Sequence, residues 1–344
     1  MTTKASAALS GAALGAAMVA GLPAAAQTIL FNNFLPPNDV LNQSVVQPWL
    51  ADIERVTEGR VRVEQPAATL APPPELLNMV QQGIADGAFI MVGFLENSNP
   101  AYQISLLPGM APSAEAASVA GWRTYQEHFA GNDELDGVEL LGIVSVPGGS
   151  IYNASGAPFN SIADMTNVKM WALPGLSSRV LGALGTVVTP GPAVRMYEVI
   201  SGGVVDAFCC VNYESIEVFN VDQFVGAVTE VPGGIFSPTF AYFIASETWS
   251  QISAEDQEAI RSVSGEAMAR RAARMDVLDG EARDRYIASG RPMVMASEGF
   301  QAEMGQVWAP IEADWVASVS ARGVDGAAAL EFYRAELARI MAGE

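Results

Sequence analysis

"NVKMWALPGLSSRVLGALGTVVTPGPAVRMYEVISGGVVDAFCCVNYE", residues 167–214, alternates two kinds of hydrophobic pattern. The runs VKMWAL, TVVT and VVDAFCCV are short and apolar, as buried strands are. Between them, LSSRVLGALG and PAVRMYEVISGG space apolar residues at helical intervals and stop on glycine. Strand-helix-strand-helix-strand predicts an α/β unit with a largely parallel sheet, because a helical crossover returns each strand in the same direction.

The same rhythm runs earlier in the chain. TILFNNFLPPND (28–39) reads as a strand entering a Pro-Pro loop, where Asn38 or Asp39 can cap the next helix. VLNQSVVQPWLADIERVTEG (40–59) is that helix, RVRVEQ (60–65) alternates as a strand, PPPELLNMVQQGIADG (72–87) is a second helix, and AFIMVG (88–93) is a buried strand. In such sheets ligands sit at the carboxyl ends of strands, so the loops at Phe34, Gly93 and after the strand in VELLGIVSVPGGSIYN (138–153) are the places for a site. Ser253, with Asp256 three residues on, opens a helical stretch that ends near Gly290.

The first residues, MTTKASAALSGAALGAAMVAGLPAAAQ, carry one cation at Lys4, a run of small apolar residues and an A-x-A pattern at Ala24–Ala26. They predict a cleaved signal peptide over 1–26, and so an exported, periplasmic protein. The apolar run is too short and too rich in Ala and Gly for a membrane span. The remaining length suits two domains rather than one core. The formal charge is −20, with carboxylates scattered along the chain. That surface repels phosphate backbones and anionic lipid, so nucleic acid is excluded as a partner.

Cysteine occurs twice, at Cys209 and Cys210. A bond between neighbours closes a strained ring, so two free thiols buried in a strand are expected. A different class of function, a Cys-His hydrolase, would need His128, the only histidine, to serve one of these thiols. His128 sits near a helix end, where a histidine serves as a favourable cap. Nucleophile-elbow, zincin and two-cysteine metal spacings are lacking, so the expectation is no enzyme: no catalytic set, no cofactor and no metal.

The order of segments resembles the periplasmic solute-binding proteins of TRAP transporters, the DctP type. FNNFLPPND (31–39), PELLNMVQQGIADGAF (74–89) and YQISLLPGMAPSAEAA (102–117) are similar to the family's first ligand loop, its glutamate helix and its "lPf" stretch. IADMTNVKMWALPG (162–175) and LGALGTVVTPGPAVRMYEVISGGVVDA (181–207) resemble its most specific block. The resemblance implies a two-lobed α/β periplasmic-binding-protein fold with a ligand cleft between the lobes and a long C-terminal helix. Lobe I is expected over 27–149 plus about 237–280. Lobe II, with the closing C-terminal helices, is expected over about 150–236 plus about 281–344. The implied partners are a small organic solute and TRAP permease subunits in the membrane; a role beside a signalling receptor is the other use of such a protein.

Against the family pattern, Trp171 falls where most members carry a carboxylate-gripping arginine, and an indole has one donor and no charge. Cys210 falls at a usual polar station, and glycines with Tyr152 replace another. The ligand-binding residues expected from this register are Trp171, Phe34, Glu75, Phe94, Tyr152, Cys209, Cys210 and Tyr213. Aromatic faces with Glu75 as counter-charge suit an onium or zwitterionic solute, or a neutral or aromatic one. The alternative is a carboxylate with a relocated anchor, Arg179, Arg195 or a cluster of backbone N–H groups. Bland readings stand beside these: Trp171 as core, and Glu75 as a residue favoured at any helix start.

Overall fold

The computed structural model describes residues 1–2, 26–95, 100–132 and 135–344. The expected signal peptide falls almost wholly outside them. Two sheets organise the chain. The first has the order β2-β1-β3-β10-β4, from Gln27–Asn32 (β1), Val61–Glu64 (β2), Gly87–Met91 (β3), Val138–Ser145 (β4) and Thr239–Ala245 (β10). Strand β1 pairs in parallel with β2 and β3, whereas β10 runs antiparallel between β3 and β4. The second has the order β11-β9-β5-β8-β6-β7. Its strands are Ser150–Asn153 (β5), Lys169–Ala172 (β6), Val187–Pro190 (β7), Ala207–Val211 (β8), Ala227–Glu230 (β9) and Met293–Met295 (β11). Its β8-β6-β7 portion is parallel, and β5 is antiparallel to both β8 and β9.

The helical crossovers make each parallel part, as the periodicity dictates. The antiparallel strands mark where the chain leaves one lobe for the other. Two crossings carry the same tetrapeptide, Val-Pro-Gly-Gly, at 146–149 and at 231–234. They lie side by side. Gly149 N–H donates to Phe236 O at 2.8 Å, Ile235 N–H to Gly149 O at 3.2 Å, and Val146 N–H to Pro238 O at 2.9 Å. A Cβ on Gly234, whose φ is +73°, would meet Gly148 Cα at 2.7 Å, so the doubled glycine permits both the turn and the backbone contact.

A third crossing is the helix Ala273–Ala288, which leads from the first lobe toward β11. The long helix Glu298–Ser320 then straps both lobes. Trp308 Nε1 donates to Val180 O in the second lobe at 3.1 Å, and Trp315 Nε1 to Pro100 O in the first at 2.8 Å. The last helix, Gly326–Met341, packs on Ala114–Thr124 of the first lobe, although the sequence grouped residues 281–344 with the second. The reason is complementarity: Ala329, Leu330, Tyr333 and Leu337 are buried, and the alanine-rich face of Ala114–Thr124 admits a close neighbour. Arg123 fastens the contact, with Nη1 2.7 Å from Glu336 and Nη2 2.8 Å from Glu266.

Candidate functional site

The cleft lies at the carboxyl ends of β1, β3, β6, β7 and β8, where the two sheets face one another. It encloses about 740 Å³ of atom-free space, including its opening to solvent. From the first lobe come Phe34, Leu35, Asp39, Val40, Leu41, Pro73, Met91, Phe94, Pro238 and Phe240. From the second come Leu173, Pro192, Ala193, Val194, Val211, Asn212, Glu214, Ser215 and Phe219. Val146 and Pro147 of a crossing segment and Met275 of the crossing helix complete the lining.

The wall is apolar and partly aromatic. Phe34 and Phe240 both rest on Phe89, with centroids 5.0 and 5.9 Å away, and Phe89 stacks on Tyr242 at 5.0 Å. This packing fixes the two rings where they border the cleft, so an aromatic or alicyclic guest meets a prepared surface.

The polar groups of the cleft are acidic or neutral; its lining includes no arginine or lysine among the described residues. Asp39 is buried, and its carboxylate accepts from Asn42 N–H at 3.1 Å as a helix-start cap. Burial pushes its pKa up to about 6, against the lowering effect of the backbone donors. Glu214 follows β8 and is also buried; desolvation first, then the Asp39 and Asp279 charges, push it up to about 8. Asn212 donates to Asp279 at 2.9 Å, and Ser215 Oγ donates to Asn212 Oδ1. An acid from each lobe therefore faces one apolar space.

Of the eight residues expected from the sequence, Phe34 and Phe94 line this cleft. The others stand beside it. Trp171 is fully buried in β6 behind Leu173, with its Nε1 lacking a partner and close to Gly191. Tyr152 is buried in β5, donates to Val211 O at 3.1 Å and stacks on Phe208 at 5.0 Å. Cys209 and Cys210 are buried in β8, two residues and one residue short of Val211. Tyr213 turns away to donate to Glu230 at 2.9 Å, while its neighbour Glu214 enters the cleft. Glu75 accepts from Asn78 at 3.0 Å on the exposed side of Pro73.

Tyr152, Trp171, Cys209 and Cys210 lie within strands, whereas the second lobe lines the cleft chiefly past its strand ends, with Leu173 after β6, Pro192 after β7 and Asn212, Glu214 and Ser215 after β8. Asp39, Asn212, Glu214, Phe219 and Phe240 were the residues missed. Asp39 was noticed only as a cap, and no spacing in the sequence marks Glu214. The alternative anchors are engaged elsewhere: Arg195 pairs with Glu198 at 2.7 Å, and Arg179 lies 3.7 Å from Asp314. His128 packs edge-on against Phe332 of the last helix, and both cysteines lie in the other lobe, so the structure brings no Cys-His pair together.

Residues 31–317 match DctP, the bacterial extracellular solute-binding protein family 7. The chain is 36% identical over 327 residues to the outer membrane transporter protein TsaT of Comamonas testosteroni, covering 94% of this chain and 96% of that protein. A TRAP periplasmic solute-binding protein of Bordetella bronchiseptica, solved with (R)- and (S)-mandelate bound, is 28% identical over 91% of this chain and 99% of its own, with a TM-score of 0.86. A marine metagenome TRAP solute-binding protein specific for aromatic acid ligands, holding 3-hydroxybenzoate, is 25% identical over 91% of this chain and 98% of its own, with a TM-score of 0.81.

Proposed function

The chain belongs to the bacterial extracellular solute-binding proteins of family 7, the DctP type, and on that premise we propose that it captures a small aromatic or comparably apolar solute in the cleft and presents it to a TRAP permease. It works outside the cytoplasm, as its family does, and the expected signal peptide is the proposed route of export. The family is one of transporter binding proteins rather than enzymes.

One observation carries the choice of ligand: the cleft pairs aromatic walls with Asp39 and Glu214. A bare carboxylate entering such a space meets two acids, and burying it without a cation costs several kcal/mol. A protonated amine or other onium head between the two lobes would instead neutralise the acids and join the lobes on closing. The ring of the solute would lie against Phe34, Phe94 and Phe240.

The relatives supply a specific reason for a second reading. Those solved with mandelate or 3-hydroxybenzoate hold aromatic acids. With Glu214 raised to about 8, its neutral form can donate a hydrogen bond to a ligand carboxylate at neutral pH. Titration calorimetry with arylalkyl amines, arylalkyl alcohols and aromatic acids at pH 6 and pH 9 separates the readings. Affinity for an amine should hold or rise with pH as the acids ionise. Affinity that instead falls with pH, and only for acids, overturns the cationic reading in favour of the second. Binding of none of the three sinks both.

A further inference from the structure

We propose that Cys209 and Cys210 are joined as a disulfide between neighbouring residues when the chain folds in an oxidising compartment. In a regular strand, successive side chains point to opposite faces, so adjacent cysteines hold their sulfurs far apart. Strand β8 breaks that rule at this one step. Cys210 has φ +75°, a left-handed conformation that residues with a Cβ seldom adopt. The register between β5 and β8 shifts at the same place, between Ser150 and Ile151. The result is that both Sγ atoms lie on one side, 2.6 Å apart, with both residues fully buried.

The surroundings accommodate the irregularity. Gly149 runs so close to it that a Cβ there would lie 2.4 Å from the Cys210 carbonyl carbon. The two residues that follow, Val211 and Asn212, line the cleft, and Tyr152 donates to Val211 O. A covalent ring at Cys209–Cys210 therefore fixes the backbone turn that aims Val211, Asn212 and Glu214 at the ligand. The sequence alone argued for two free thiols, because a bond between neighbours closes a strained ring; here the backbone already holds the left-handed turn that such a ring needs.

The chemistry balances by thiol-disulfide exchange with an extracytoplasmic thiol oxidase that carries a reactive disulfide. One cysteine, as its thiolate, attacks an oxidase sulfur and forms a mixed disulfide. The neighbouring thiolate then displaces the oxidase, which leaves as a dithiol carrying the two electrons and, from the medium, the two protons. Because both sulfurs are buried in the folded protein, exchange takes place before β8 is covered.

The chain has two cysteines in all, which makes the test direct. Full-length protein exported to a bacterial periplasm is unfolded in guanidinium without reductant, alkylated with iodoacetamide and weighed intact. The expected result is a monomer bearing no alkyl group, which gains two after reduction. Alkylation of both thiols in the unreduced sample overturns the proposal, as does a disulfide-linked dimer. Cys210→Gly separates the bond from the turn, since glycine adopts positive φ freely. It should fold and alkylate once without reductant. A Cys210→Gly protein that takes up no label before reduction would show that adducts with small thiols mask labelling, and would also overturn the proposal.

Discussion

Asp276 and Asp279 stand one turn apart on the crossing helix Ala273–Ala288 and cap helices in opposite lobes. Asp276 accepts from Ala114 N–H at 2.6 Å and Glu115 N–H at 3.0 Å, at the start of a first-lobe helix. Asp279 accepts from Glu214 N–H and from Asn212 Nδ2, each at 2.9 Å, at the start of a second-lobe helix. One rigid element thus holds both lobes by the same chemistry, a carboxylate on helix-start N–H groups.

Replacing either aspartate by alanine should lower stability by about 0.5–2 kcal/mol, the usual cost of losing a cap. The two should differ in binding. Asp279→Ala frees Asn212 and Glu214, which line the cleft, and should weaken ligand affinity, whereas the hydrogen bonds lost in Asp276→Ala go to Ala114 and Glu115, outside the lining. Thermal melts alongside calorimetry read both. Equal losses of affinity from the two substitutions would show that the helix acts only as a strut.

Phe34 and Phe94 are the residues on which the sequence and the cleft agree. Phe34→Ala and Phe94→Ala should each cost about 1–3 kcal/mol in binding an aromatic ligand, from lost apolar area and ring contact. Both rings are partly buried, but Phe34 also packs on Phe89 and Phe240, so Phe94→Ala should change the melting temperature less than Phe34→Ala. A Phe94→Ala protein with unaltered affinity would place the ligand elsewhere in the cleft.

The architecture was legible because burial imposes period and glycine imposes stops: each parallel unit announces itself in GLSSRVLGALG or PAVRMYEVISGG. The crossings were not legible as such, since Val-Pro-Gly-Gly reads as an ordinary turn until two copies are found in contact. Of the residues expected from the sequence, only Phe34 and Phe94 line the cleft, and they stand just past strands whose ends the sequence marks clearly. Glu214 was hidden because its role depends on Asp39, 175 positions away in the chain (214 minus 39) and in the other lobe. No local pattern encodes an encounter of that kind.

Trp171 reverses the expectation drawn from its register. It is fully buried and absent from the cleft lining, so Trp171→Ala should destabilise the fold by about 3–5 kcal/mol, as large core truncations do. Trp171→Phe should cost far less, because it removes an indole N–H that has no partner. Denaturant unfolding of both variants checks the order. A stable Trp171→Ala protein that has lost its ligand would restore the residue to the site.

Gly149 gives a sharper steric test. Its Cβ position lies 2.4 Å from Cys210 C and 2.5 Å from Val211 N, both backbone atoms that cannot rotate aside. Gly149→Ala should therefore destabilise by about 1–3 kcal/mol or more through overpacking, while Gly182→Ala, on an open helix face, should not. Equal melting temperatures for the two variants would mean that the crossing segments yield easily.

The two acids of the cleft, with Asp279 bonded beside Glu214, set a pH dependence whose sign follows from their displacement. Asp39 and Asp279 are raised to about 6 and Glu214 to about 8, chiefly by burial, so the folded chain holds protons that the unfolded chain has released. Their favourable contribution is complete below the unfolded values, 3.8 for the aspartates and 4.5 for the glutamate, and is lost as pH rises through about 6 and then about 8. Glu266 and Glu336, held low beside Arg123, act oppositely and lose their contribution as the medium becomes strongly acidic. The unliganded protein should thus be most stable in mildly acidic solution, with a melting temperature that declines from about pH 5 to pH 8 and flattens beyond. Glu214→Gln should remove the upper part of that decline, and Asp39→Asn should reduce the lower part, which Asp279 shares. A cationic aromatic ligand should raise the melting temperature most at pH 8, where both acids seek a counter-charge. A melting profile that rises steadily from pH 5 to pH 8 in the parent protein would show that these carboxylates reach solvent, and that the cleft does not hold them as an acid pair.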